Sequence, residues 1–153
     1  MNGASGRISK TGKAFAKAQC VKCHRCGVSG ETLGPDLTTV AKRFQRKEML
    51  ESIVYPSHNI SDQYAAQVAT SQDRSFLGQV IPRGSLGVTL LLSDGEKLEL
   101  SQSDIDDIQP SFQSSMPSEL LNALSLQQVA DLFAYLKQDH SINMAEKDRA
   151  PIR

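Results

Sequence analysis

Five residues, Cys20-Val21-Lys22-Cys23-His24, constrain this chain more than any other stretch. They read C-x-x-C-H, the attachment pattern of a c-type haem. The spacing has a physical reason. Each of two haem vinyl groups takes one thioether bond, so two thiols must stand about one helical turn apart. The following histidine then offers its imidazole to the iron from the same side, and the ligand it provides sets the electronics of the metal.

Two other chemistries compete for these residues. Cys23-His24-Arg25-Cys26 is a second C-x-x-C, but Gly27 follows it and no histidine does. A thioredoxin-like pair needs a strand before it, whereas residues 9 to 24 have a helical pattern. Zinc could draw on Cys20, Cys23, Cys26 and either His24 or His58. A closed structural zinc site needs four ligands, usually as two matched pairs, and the sequence has no second pair.

A chain of 153 residues is expected to form one domain, 1–138, with a polar tail at 139–153. With 3 cysteines it is no disulfide scaffold. It has no Trp and few aromatics, so a bound haem would supply apolar volume that the side chains lack. No apolar run approaches the ~20 residues of a membrane span. The first residues, Met1-Asn2-Gly3-Ala4-Ser5, lack the apolar core of an export signal. A c-type haem is attached outside the bacterial cytoplasm. The expectation is therefore a periplasmic or otherwise exported domain whose signal is absent from this sequence.

The formal net charge of zero is a cancellation. Residues 1–47 hold ten Lys and Arg against Glu31 and Asp36, a net +8, and the remainder carries −8. Most of these charges are solvated faces. Around the motif they predict a basic collar facing an acidic redox partner, a field that speeds encounter more than it tightens binding. Nucleic acid is not expected as a partner, because the basic region lacks interleaved aromatics.

The apolar spacing predicts a helix over 9–24, capped by Ser9 or Thr11, in which Gly12 is costly unless packing demands it. A glycine-rich loop follows at 27–37. A second helix is predicted over 38–55, interruptible near Gln45 and stopped by Pro56. The period then becomes strand-like over 64–70, 76–81, 88–92 and 97–100, with Gln72-Asp73, Arg83-Gly84 and Asp94-Gly95 as turns. Residues 103–108 read as a helical turn closing a small antiparallel insert, 64–108. Pro117 suits the first position of a helix that continues through Leu120 and Leu124. Ser125-Leu126-Gln127-Gln128 then reads as a capping box for a helix ending near Lys137. The predicted fold class is mainly α: a helical shell around one haem with a small β insert.

A six-coordinate haem needs a ligand opposite His24. Met49, Met116, Met144, His58 and His140 are the candidates. Met49 on a helix reads as packing or surface, Met144 lies in the tail, His58 suits an exposed loop, and His140 sits at the C-terminus of the last helix. Met116 stands in an irregular segment just before Pro117, where a side chain can reach inward.

Taken together, Gly12, Phe15, Cys20, Cys23 and His24, then Gly34-Pro35-Asp36-Leu37, Ser115-Met116-Pro117, Asp131-Leu132 and Tyr135-Leu136 resemble a class I cytochrome c. More narrowly they resemble the planctomycete-type (Pirellula/Verrucomicrobium-type) haem-binding domain. The resemblance implies haem c bound through Cys20 and Cys23, with His24 and Met116 as axial ligands. It implies that the Pro35 carbonyl holds the other ring nitrogen of His24. Gly12 and Phe15 would pack where the first helix crosses the last, against Leu132 and Tyr135. Such domains commonly end large exported proteins with dehydrogenase-like or propeller modules, so a neighbouring dehydrogenase-like domain is an implied partner.

Two features depart from that pattern. Cys26 is an extra thiol beside the motif, and Glu119 stands where the family pattern has Gly. The expected function is one-electron transfer without substrate chemistry, hence no enzyme, though the chain could serve a larger oxidoreductase. The competing class is a haem sensor or peroxidase-like enzyme with a labile Met116, and for this no distal His-Arg pair can be placed.

Overall fold

A computed structural model describes residues 10–141. The chain divides into two compact units, one from the residues up to Met49 and from Glu119 onward, the other from Leu50 to Ser118.

In the first unit, helix α1 spans Lys10–Lys17. Eight residues do not hold a helix in water by themselves. What holds α1 is its apolar face of Ala14 and Phe15, continued by Ala18 just past its end, all buried, laid against helix α3, Leu126–Leu136. The Phe15 ring meets Tyr135 at 5.3 Å, the contact that the resemblance implies. Burying Phe15 or Leu132 contributes about 1.5–3 kcal/mol each, which outweighs any propensity term. The capping box of α3 is formed in both directions. Gln128 N donates to Ser125 Oγ at 3.2 Å, and Ser125 N to Gln128 Oε1 at 3.0 Å.

The helices are shorter than their periodicity predicts. The helix expected over 9–24 stops at Lys17, because Gln19 adopts a left-handed conformation with φ 62. Ser9 and the side chain of Thr11 lie outside what is described. Of the second helix, expected over 38–55, there is a short 3-10 turn at Val40–Lys42 and then α2, Arg46–Val54, whose buried residue is Met49. Gln45 N donates to Glu48 Oε2 at 2.7 Å, which satisfies one of the orphan donors at the start of α2. No helix begins at Pro117. Glu119 is left-handed at φ 65, and only a 3-10 turn, Leu120–Ala123, precedes α3.

The second unit corrects the fold class. It holds a five-stranded antiparallel sheet of β1 (Gln67–Ser71), β2 (Arg74–Pro82), β3 (Gly87–Leu92), β4 (Lys97–Ser101) and β5 (Asp107–Pro110), in the order β4-β3-β2-β1-β5. Its strands hold about as many residues as the three α-helices, so the chain mixes helix and sheet rather than being mainly α with a small insert. The missed strand is β5. It is short and polar and ends in proline, and it forms because Asp107 to Pro110 pair with Thr70 to Gln67 of β1. Such a pairing, made by residues some forty positions apart, leaves no local periodicity to read.

The hairpins follow turn chemistry. Gln72 and Asp73 have φ 50 and 62, the two-residue type I′ geometry that matches strand twist. At Asp94-Gly95, Asp94 Oδ1 accepts from Glu96 N at 2.9 Å and closes β3 onto β4. One sheet face carries Ala69, Val88, Leu90 and Leu100, packed with Phe76, Val80, Leu92, Leu98, Ile105 and Ile108. All ten belong to the second unit, which therefore has a core of its own.

The tail predicted from residue 139 is anchored at its start. Asp139 pairs with Lys42 at 2.6 Å, and His140 is buried. Residues 142–153, including Met144, lie outside the described residues.

Candidate functional site: the C-x-x-C-H turn

The left-handed residue Gln19 turns the chain out of α1 and into a 3-10 turn, Cys20–Lys22. Cys23 N and His24 N both donate to Cys20 O, at 3.2 and 2.9 Å. The motif is thus a tight, locally closed turn with Cys20, Cys23 and His24 all half-buried. Burial pushes the Cys20 thiol up to about 11, and the neighbouring Cys23 and Cys26 act in the same direction. Among the described residues, no group of three or more His, Cys, Asp or Glu is arranged to hold a metal ion, so the zinc alternative finds no ligand set.

The loop after the motif folds back over it. Glu31 N donates to Val21 O at 3.1 Å, and Leu33 N and Gly34 N share Cys23 O at 3.0 and 2.7 Å. This brings Pro35 to His24, whose Nδ1 lies 2.8 Å from the Pro35 carbonyl. A carbonyl can only accept, so the proton resides on Nδ1 and the lone pair on Nε2. Burial lowers the pKa of His24 and the Pro35 bond partly offsets this, so the ring is a neutral imidazole at pH 7. That is the state a metal ligand requires.

Gly34 makes the arrangement possible. A Cβ there would stand 2.8 Å from His24 Cε1 and 3.0 Å from Nδ1. The imidazole lies flat against bare backbone, and any side chain at 34 would displace it.

Asp36 holds the next stretch of loop. Thr38 N donates to its Oδ1 at 2.7 Å, and Arg43 Nη2 to its carbonyl at 3.0 Å. Burial alone would raise this carboxyl, but the Thr38 hydrogen bonds and the Arg25 and Arg43 charges together hold it below the usual range.

Cys20, Cys23, His24 and Pro35 therefore lie together in the first unit. Met116 belongs to the second unit, where it is half-buried and its N donates to Ser114 Oγ at 3.1 Å. Ser114 N in turn donates to Ser57 Oγ at 3.0 Å, which ties the methionine loop to the stretch after α2. Met49 is buried in its helix and His58 is exposed in a turn. His140 is engaged, with its Nε2 donating to Tyr135 O at 2.9 Å. The extra thiol, Cys26, is 1 % exposed, and burial pushes it up to about 11.

Residues 9–81 match the family model of cytochrome c. Over these residues the chain is similar to cytochrome c. No curated protein matches it. The matched segment spans α1, the C-x-x-C-H turn, the loop bearing Pro35 and α2, and it runs on into β2. The cofactor of a cytochrome c domain is covalently attached haem c, and its role is electron transfer at the haem iron. The residues of this turn fit that group: two thiols at the attachment spacing, and beside them an imidazole whose tautomer leaves Nε2 for iron. Cytochrome c domains are usually exported or periplasmic. Among the described residues, no helix is long and apolar enough to cross a membrane.

Two parts of the site were not read from the motif. The clearance at Gly34 was visible only as one letter of Gly34-Pro35-Asp36-Leu37, and nothing in the sequence marks His140 as buried. Both depend on contacts between residues ten or more positions apart.

Proposed function

We propose that this cytochrome c domain is a one-electron carrier with a His/Met-ligated haem. In this reading Cys20 and Cys23 would hold the haem by thioether bonds, and His24 Nε2 and the Met116 thioether would ligate its iron. The observation that carries the reading is the 2.8 Å contact from His24 Nδ1 to Pro35 O, in a turn that also presents two thiols at the attachment spacing. The haem supplies a one-electron couple at its iron. The chain's own residues do the rest. Pro35 holds the Nδ1 proton and strengthens the imidazole as a donor. Gly34 leaves room for the ring. A thioether at Met116 would favour ferrous iron and raise the potential. The finer resemblance, to the planctomycete-type domain, is supported by Gly34-Pro35-Asp36-Leu37 and Ser115-Met116-Pro117 around the same site. With it come a periplasmic or exported setting and a neighbouring dehydrogenase-like domain as donor or acceptor.

The test is spectroscopic. Co-expressed with a haem c maturation system, the protein should keep its haem through acid–acetone extraction, and the oxidised form should show the weak far-red band of a Met–iron bond. Met116→Ala should keep the haem, lose the band, bind CO or cyanide and have a lower potential. A far-red band that survives in Met116→Ala, or an iron opened instead by His58→Ala, overturns the Met116 assignment.

The partner is proposed to present an acidic face. Leu50–Ser118 carries nine acidic and three basic residues, so the basic excess lies in the unit that bears the motif. Lys22 is exposed within the motif itself, as are Lys13, Lys17 and Arg46 nearby in that unit. Electron exchange with an acidic partner should slow as salt rises, since screening shortens to ~8 Å at physiological ionic strength. A salt-independent rate with such a partner contradicts this docking face.

A further inference from the structure

His140 is a buried titratable residue that the reading above does not use. It is 6 % exposed, four residues beyond the end of α3. Its Nε2 donates to Tyr135 O at 2.9 Å, so it folds back to cap the helix it follows. Its ring lies against the Tyr135 ring with centroids 4.4 Å apart. Against it also lies Gly27, buried and left-handed at φ +63, where a Cβ would stand 2.9 Å from His140 Cβ. His140 N also points to Thr38 O at 3.4 Å. Asp139 beside it is tied to Lys42 at 2.6 Å, which fixes the chain just before the ring.

What His140 touches leads back to the iron ligand. Residues 24–27 and 35–38 form an irregular ladder. Its first rung is His24 Nδ1 to Pro35 O at 2.8 Å, its second Leu37 N to Arg25 O at 2.8 Å, and its third Gly27 N to Thr38 Oγ1 at 3.0 Å. His140 closes the end at Gly27 and Thr38, which stand three residues from His24 and Pro35 respectively. The isolated β-bridge nearby, Cys26 to Ser29, joins the end of the first strand to the turn after it and not to the second strand. Besides the three rungs, the two strands are joined by Cys26 Sγ to Leu37 O at 3.8 Å and by the Arg25–Asp36 pair at 3.9 Å, and His140 packs on the end at Gly27 and Thr38.

We propose that His140 is a positioning residue for the haem ligand: by wedging Gly27 and Thr38 against Tyr135 it holds the Pro35 carbonyl on His24 Nδ1. The proposal rests on the reading of His24 as the iron ligand. Without the wedge, the third rung loses its packing and the loop bearing Pro35 loosens. The His24 Nδ1 proton then spends more time away from its acceptor, and the imidazole becomes a weaker donor to ferric iron, so the potential rises.

The experiment uses the haem-loaded full chain. Exchange of the His24 Nδ1 proton with solvent is followed by NMR in the reduced protein, and the midpoint potential is measured alongside. His140→Ala should speed that exchange by about tenfold or more, the change that 1.4 kcal/mol makes, and raise the potential. His140→Gln, which keeps a donor for Tyr135 O, should restore much of the protection. Leu98→Ala destabilises the sheet unit and should leave both readouts at wild-type values. If His140→Ala does not fold, Thr38→Val removes the third rung at nearly constant volume and should shift both readouts in the same direction. Unchanged exchange in His140→Ala, or in Thr38→Val where that variant stands in, overturns the proposal, as does equal acceleration in Leu98→Ala. If no haem is retained covalently, it is the ligand reading that fails. The wedge is then read from the Gly34 amide in the haem-free chain, whose bond to Cys23 O should exchange faster in His140→Ala, and an unchanged rate overturns it there too.

Discussion

Gly34→Ala gives the sharpest single-residue prediction. The φ of Gly34 lies outside the left-handed range, so alanine suits the backbone. In open space the change would stabilise the protein by about 0.4–1 kcal/mol, because alanine restricts the unfolded chain. The space is not open. The new Cβ would stand 2.8 Å from His24 Cε1, 3.0 Å from Nδ1 and 3.4 Å from Nε2. Carbon atoms rest at about 3.5–4.0 Å, so the ring must retreat by roughly 1 Å. It cannot do so freely, since its Nδ1 is held by Pro35 O at 2.8 Å, and a shift of that size stretches the bond out of hydrogen-bonding range. Losing the bond costs about 0.5–1.5 kcal/mol and forced repacking about 1–3 kcal/mol. After the unfolded-state gain is set against these, the expected result is a net destabilisation of about 1–3 kcal/mol. Urea unfolding of the haem-loaded protein measures it. If His24 ligates the haem iron as proposed, the displaced Nε2 would bind it less well, so haem retention should fall and the potential should change. A Gly34→Ala protein as stable as wild type or more so, with its spectrum and potential unaltered, would refute the claim that this glycine exists to seat the imidazole.

Two further perturbations test how the motif-bearing unit is built. Glu119→Gly should raise stability by about 0.5–1 kcal/mol in chemical denaturation, because Glu119 sits at φ 65, where a side chain costs about 1–2 kcal/mol and glycine does not; an unchanged or lower midpoint would show that the Glu119 side chain makes an offsetting contact. Hydrogen bonds from Lys42 and Ser141 hold the Asp139 carboxyl well below the usual range. A depressed folded pKa means that its contribution is fully present above the ordinary aspartate range near ~4 and is lost as pH falls below it. The stability gap between wild type and Asp139→Asn should therefore be constant above pH ~5 and close in acid, and it should be small because the pair is exposed. A gap that persists unchanged in acid would contradict the assignment.

The features legible in the sequence are those whose physics is local. Cys20, Cys23 and His24 lie within one turn, so their chemistry survives whatever the rest of the chain does. The capping box at Ser125 and Gln128 is a four-residue hydrogen-bond exchange, and it formed as written. The turns at Gln72-Asp73 and Asp94-Gly95 are local in the same sense, and the four longer strands lie close to their alternation.

Tertiary structure decided what no short window contains. Gln19 and Glu119 carry no signal for a left-handed backbone, yet both adopt it, and two expected helices are cut short there. β5 exists because β1 offers it an edge, and for that reason the sheet outgrew the small insert its periodicity suggested. His140 reads as a polar residue after a helix and becomes buried through Tyr135, Gly27 and Thr38. The bond from His24 to Pro35 spans eleven positions and depends on a loop with no periodicity at all. Motif spacing thus determined which cofactor the chain can hold, because bond formation to that group needs only neighbouring atoms. How the histidine is aimed was left to contacts between distant residues, which exist only once the chain has closed on itself.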